Sequence, residues 1–137
     1  MAPNAQSSTE GLNVTRETEI RGYWVDPSTS LMWAWKDNGK NLSWHGATKY
    51  CRNLRLAGYA DWRLAKIDEL EGLADTRNLL LTAPRLWSSN PVMDDRGHPS
   101  HASYWYFDYQ RGKKQEGFED WAEGDHMPAL CVRRSGE

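Results

Sequence analysis

Helical periodicity in this sequence is confined to its first half, and that confinement narrows the fold more than any other feature. Ser43 offers an N-cap, and Ala47, Tyr50, Cys51 and Leu54 then recur at i, i+3, i+4 and i+7, the spacing of one helical face. Gly58 is a natural stop for that helix. Ile67, Leu70, Leu73 and Ala74 predict a second, shorter helix opening after Asp61-Trp62-Arg63-Leu64. Beyond Asp75 the apolar pieces are brief and are separated by Pro84 and by polar stretches. Two helices early and short strands late give an α+β domain, not a repeating βαβ pattern.

The rest of the chain fits around those helices. Ile20–Lys36 (IRGYWVDPSTSLMWAWK) holds two aromatic-rich runs flanking the turn cluster Asp26-Pro27-Ser28-Thr29-Ser30, and reads as a hairpin. Asp37-Asn38-Gly39-Lys40 is another turn. Ser88 to Ser103 is rich in Pro, Gly, Asp, Ser and His and reads as a long surface loop, the kind that tends to carry function. Tyr104–Tyr109 (YWYFDY) is expected to be a strand ended by Gln110-Arg111-Gly112. Lys113–Pro128 reads as mostly loop, and Ala129–Arg133 as a short closing strand. Residues 1–19 are polar and lack periodicity, so they are expected to form a flexible arm, with a single domain over 20–137. No internal repeat is found.

Charge and composition exclude some functions. The net charge of −2 is not that of a nucleic-acid binder, which shows a basic excess or stripe. Its layout is uneven. Residues 36–66 carry Lys36, Lys40, Lys49, Arg52, Arg55, Arg63 and Lys66 against Asp37 and Asp61, whereas residues 116–125 carry Glu116, Glu119, Asp120, Glu123 and Asp125 and no base. Mutual pairing across the fold, or plain solubility, is the favoured reading, with a polar rim around a binding surface second. No apolar stretch approaches the ~18–20 residues of a membrane-spanning helix, so no membrane insertion is expected. Met1–Glu10 lacks the apolar centre of a signal peptide. Eight Trp, six Tyr and two Phe supply much of the apolar area, suiting a core and a binding surface alike.

Several pieces, taken in order, resemble one family. These are Tyr23–Trp33 (YWVDPSTSLMW), Leu42-Ser43-Trp44, Ala47–Cys51 (ATKYC), Leu56–Leu64 (LAGYADWRL), Ile67–Leu70 (IDEL), Trp87-Ser88-Ser89 and Cys131-Val132-Arg133. The set is similar to the domain at the C-terminus of Legionella collagen-like adhesins, over about residues 20–134. The resemblance implies a C-type-lectin-like fold: paired N- and C-terminal strands, two helices and short antiparallel strands, and a loop-rich half that presents a ligand. It implies binding rather than catalysis, with sulfated glycans as the adhesins' ligand and variable, retroelement-diversified receptors as relatives. It also implies an extracellular or cell-surface location, the cytosol being the alternative for a chain without a leader. A trimerising end domain of a fibrous surface protein is a further reading, so a homo-oligomer is a possible partner state beside a glycan or protein ligand. Two departures stand out. Leu64 is followed by Ala65-Lys66 where the family writes Leu-Pro-Thr, which predicts a less rigid joint between the helices. The closing loop Glu116–Asp125 is long and acidic, and carboxylates repel sulfate.

The resemblance pairs Cys51 with Cys131 in a structural disulfide; two buried thiols are the alternative. Neither lies in a CxxC pair, and nothing in the sequence marks an activated thiolate. Related formylglycine-generating enzymes use paired cysteines in catalysis, but these two occupy the structural positions. No catalytic residue and no cofactor is expected. His45 stands near the helix start, far in sequence from a nucleophile, and no Ser-centred elbow or phosphate loop is present.

The expected contact surface is the loop-rich half, Trp87 to His126. Alternation along Tyr104–Tyr109 would turn Trp105, Phe107 and Tyr109 to the core and Tyr104, Tyr106 and Asp108 outward. Two exposed tyrosines with Asp108 would make a ligand platform; both packed under loops is the other reading. Asp95, Arg96, His98, His101, Arg111 and Trp121 complete the ligand-binding set. Asp94, Asp95, His98 and His101 could hold a divalent ion, but a solvated loop is preferred and no metal is expected. Ser89-Asn90-Pro91 has no carboxylate before its proline, so no calcium-dependent sugar site is expected. Retroelement diversification never yields Lys, Glu, Gln, Met or Trp. Asp94–Tyr109 obeys that rule except at Trp105, and Gln110–Pro128 breaks it repeatedly, at Lys113, Lys114, Glu116 and Trp121 among others.

Overall fold

In a computed structural model, residues 18–73, 79–119 and 124–135 are described, so Trp121 and Ala74 lie outside them, as does nearly all of the expected arm. Residues 18–21 form a helical turn. The predicted hairpin follows as β1 (Tyr23–Val25) and β2 (Leu31–Ala34), with Trp24 opposite Trp33. Its turn is built by Asp26, whose carboxylate accepts from the Ser28 backbone N–H at 2.9 Å and hydroxyl at 2.7 Å.

Helix α1 (Trp44–Asn53) starts where its cap chemistry places it: the Ser43 hydroxyl accepts from the Gly46 N–H at 3.2 Å. It ends short of Gly58, because Leu54 turns extended (ψ 132°) and packs against the core. Gly58 instead takes φ +83° in a turn closed by the Leu56–Tyr59 bridge. Strand β3 (Arg63–Leu64) leads into α2 (Ile67–Gly72). The joint between them, expected to be loose, is held at several points. Glu69 accepts two hydrogen bonds from the Arg63 guanidinium, each 2.7 Å, and one from the Lys66 N–H at 2.8 Å. The Ala65 carbonyl accepts from Ser89 N–H at 2.8 Å, and Asn90 Oδ1 from Ile67 N–H at 2.7 Å.

The last strand, β7 (Cys131–Arg134), enters between β2 and β3 to give an antiparallel sheet ordered β1-β2-β7-β3. Cys51 on the buried face of α1 and Cys131 on β7 are joined in a disulfide, with Cα atoms 5.4 Å apart, as the resemblance implied. Arg133 on the same strand is 2% exposed; its guanidinium donates to Asp61 at 2.6 and 3.1 Å and stacks 3.8 Å from the Tyr59 ring centroid.

The second half departs most from expectation. Ser88–Ser103 is no surface loop. It lies in a hairpin of β4 (Arg85–Met93) and β5 (Pro99–Asp108), and β6 (Lys113–Phe118) completes a second antiparallel sheet where loop was predicted. The turn-forming residues mislead because β4 is an edge strand, where Pro91 forfeits no ladder bond, and because shifts of register around Pro91 absorb the irregularity. The true turn is Asp94–His98, where Asp94 Oδ1 accepts from the Arg96 and His98 N–H groups at 2.9 and 2.8 Å. On β6, Gly117 is required by packing, since a Cβ there would stand 2.7 Å from the Trp87 ring.

Two buried clusters form the core. One gathers the disulfide, Trp62, Trp87, Tyr104, Tyr106 and Met127; the other gathers Trp33, Leu70, Leu73, Leu86, Phe107 and Val132. They lie on opposite faces of the second sheet, so Phe107 and Tyr109 pack against the second cluster as expected, whereas Tyr104 and Tyr106, expected outward, are buried in the first. Tyr104 and Tyr106 are 6% and 8% exposed, whereas Trp105 and Tyr109 are only half-buried. Strict alternation fails because the sheet is covered on both sides. The Tyr109 hydroxyl donates to the Leu70 carbonyl at 2.6 Å, and burial pushes its pKa well above the usual phenol range. Among the described residues, no helix is long and apolar enough to cross a membrane. The architecture is α+β.

Candidate functional site

The residues expected to form one contact surface are dispersed. Asp95, Arg96 and His98 stand exposed at the β4–β5 turn, and His101 is exposed further along β5. Asp94 and His98 approach to 3.6 Å, yet the Asp94 carboxylate is occupied in shaping the turn. Asp108 and Arg111 sit at the other end of β5, about 30 Å away at the rise of an extended strand. Asp108 is 6% exposed, not outward-facing, because its carboxylate accepts from Gln110 and Arg111 N–H groups and so builds the β5–β6 turn. Tyr104 and Tyr106 are core. Tyr104 stacks on Trp44 at 3.6 Å between ring centroids, and Tyr106 donates to Gln115 Oε1 at 2.8 Å.

Concave surface lies instead around α1. Gly46, Lys49, Tyr50 and Asn53 recur at helical spacing and form one wall of a groove of about 550 Å³, faced by Asn38, Lys40 and Leu42. The facing segment is pinned. Buried Asp37 accepts from Gly39 N–H at 2.9 Å and Thr82 N–H at 2.8 Å, and Asn38 Oδ1 accepts from Ala129 N–H at 2.7 Å. Leu42 and Met127 exchange two backbone hydrogen bonds of 2.9 Å. Leu54 and Arg55 also line the groove, and Leu42, Tyr50 and Leu54 give it apolar surface. Burial, and then the charge of Asp37, raise the Tyr50 pKa, which keeps the phenol neutral. Lys40, Lys49 and Arg55 make no ion pair among the described residues.

A second cavity of about 350 Å³ adjoins it, sharing Gly46 and Lys49 and adding Ser43, His45, Glu119 and His126. Glu119 is its organising group. One carboxylate oxygen accepts from the Trp44 N–H at 2.5 Å, at the positive end of α1, and the other meets His45 Nδ1 at 2.8 Å. Its side chain is 8% exposed and that of His45 is 67% exposed. The charge of Glu119, after burial, raises the Tyr104 pKa. A carboxylate-held imidazole is half of an acid–base pair. Among the described residues, however, no hydroxyl or thiol lies within hydrogen-bonding distance of that ring, and the Ser43 hydroxyl is engaged as the helix cap. No group of three metal-ligating side chains is found among the described residues.

Asp120 and Glu123 of the acidic block lie outside the described residues. Among the described residues the blocks meet through Glu119, which takes His45 and a backbone N–H rather than a lysine or arginine. Lys40, Lys49, Arg55, His45, Glu119 and His126 were not singled out as a site by sequence reasoning. The usable signal was the basic excess of residues 36–66 combined with the helical phase that puts Lys49 opposite Cys51 on α1.

The chain belongs to the Lcl C-terminal domain family, whose model matches residues 22–133. No curated protein matches it.

Proposed function

We propose that this Lcl C-terminal domain is a non-catalytic, C-type-lectin-like binding module of a bacterial surface protein, and that its α1 groove takes an anionic glycan. The lectin-like reading is supported by β7 returning beside the N-terminal hairpin and by the disulfide tying α1 to β7. The observation that carries the ligand class is the groove itself. Three cationic side chains, Lys40, Lys49 and Arg55, line it together with Leu42, Tyr50 and Leu54, in a chain whose net charge is −2. Sulfate or carboxylate groups would meet the cations, while sugar carbons would lie on Leu42, Tyr50 and Leu54. Glu119 and Asp125 of the acidic segment hold backbone N–H groups, so their charges are partly compensated inside the fold.

The test uses a fluorescent, fully sulfated oligosaccharide and its unsulfated parent. Binding should require sulfation, weaken with salt, and fall at least about tenfold when Lys40, Lys49 and Arg55 are all changed to Glu. Undiminished binding by a folded triple variant would remove the groove from the function. Binding of the unsulfated probe alone would overturn the ligand class.

A further inference from the structure

We infer that the anion site is tuned by pH through His45 and His126, which make the cavity beside the groove cationic only in mildly acidic medium. The inference rests on the proposed groove and adds its regulation. Both histidines line the smaller cavity together with Lys49, which also lines the groove, so a chain-like polyanion seated on Lys49 reaches both spaces. His45 and Lys49 are one helical turn apart on α1 and share a face.

The hydrogen bonds fix which ring nitrogen is left for a ligand. His45 Nδ1 is engaged by Glu119 Oε1 at 2.8 Å, and His126 Nδ1 by the Gly124 carbonyl at 3.0 Å. Each acceptor requires an N–H at Nδ1, so in the neutral ring Nε2 carries a lone pair. A lone pair repels an anionic oxygen. Imidazoles change charge between about pH 5 and 8, and protonation turns each Nε2 into a charged donor. Among the described residues, the titratable and charged groups around the pair are Glu119 at the end of β6, Lys49 on α1, Asp125 beside His126, and Tyr104 behind Glu119. Glu119 is held by the Trp44 N–H as well as by His45, so it stays in place as the ring gains its proton. Of the side-chain types gathered here, histidine is the one whose ordinary charge change falls in that interval.

The experiment measures binding of a dextran sulfate fragment, which has no carboxylate and keeps its charge between pH 5.5 and 7.5. Affinity should be roughly three- to tenfold higher at pH 5.5, the scale of two exposed charge pairs. In the His45→Gln, His126→Gln double variant the ratio between the two pH values should collapse to about one. Each single variant should retain part of it, which preserves the test should the double variant fold poorly by circular dichroism. Equal affinity at both pH values in the parent protein, or a pH ratio that survives in the double variant, would overturn the inference while leaving the groove standing. No binding by the parent at either pH would overturn the groove and the inference together.

Discussion

Replacing Tyr104 by Ala sets the folded structure against simple strand alternation, which turns that ring outward. Tyr104 is 6% exposed and lies against the Trp44 ring at 3.6 Å with a 5° interplanar angle. Removing a buried aromatic ring costs about 3–5 kcal/mol, and loss of a stacked pair pushes the figure toward the upper end. For a domain of this size that is a fall in Tm of roughly 12–20 °C. The comparison is Trp105→Ala on the same strand. Trp105 is half-buried with the Lys114 ammonium 4.7 Å from its ring centroid, so its loss should cost about 1 kcal/mol. Urea titration of both variants, with the disulfide intact and slopes compared to the parent, reads the difference directly. Equal costs, or a larger cost at Trp105, would refute the assignment of faces and the two-cluster core with it.

Changing both Cys51 and Cys131 to Ala opens a loop with sequence separation 80. On the chain-entropy model this loses about 4.5 kcal/mol, so the midpoint of urea unfolding should drop steeply, and a shift under 1 kcal/mol would show the bridge to be dispensable. Acid should also weaken the fold. The Arg133 hydrogen bonds hold the Asp61 carboxyl below its usual range. At Glu69 burial pushes the pKa up, but the Arg63 and Lys66 hydrogen bonds outweigh it and the net shift is downward. Both groups therefore contribute stability above the unfolded carboxylate range of about pH 3.9–4.3 and lose it as pH falls through their lower folded values. Thermal melts from pH 5 to 2 should decline less in the Asp61→Asn, Glu69→Gln variant, and parallel decline would refute the assignment.

What the sequence determined was local. The cap at Ser43 and the phase of Ala47, Cys51 and Leu54 set the start and buried face of α1, because a helix is closed by bonds between near neighbours. Asp26 and the residues after it made the first hairpin for the same reason, and the family resemblance paired the cysteines. Where local cues had to stand for distant ones, they failed. Pro91 and Pro99 read as loop, yet each is held in the β4–β5 ladder, Pro91 opposite Tyr104 and Pro99 opposite Met93. Period-two alternation assumes one wet face, whereas α2 and the disulfide cluster cover opposite faces of the second sheet, so Tyr104 and Phe107 are buried together. The groove was hidden for a related reason. Whether a lysine is neutralised or left facing a cavity depends on which carboxylate the chain folds beside it, and Glu119 went to a helix end and a histidine. Bonds between near neighbours are written in the order of residues; the coverage of a face and the partner of a charge exist only once remote segments meet.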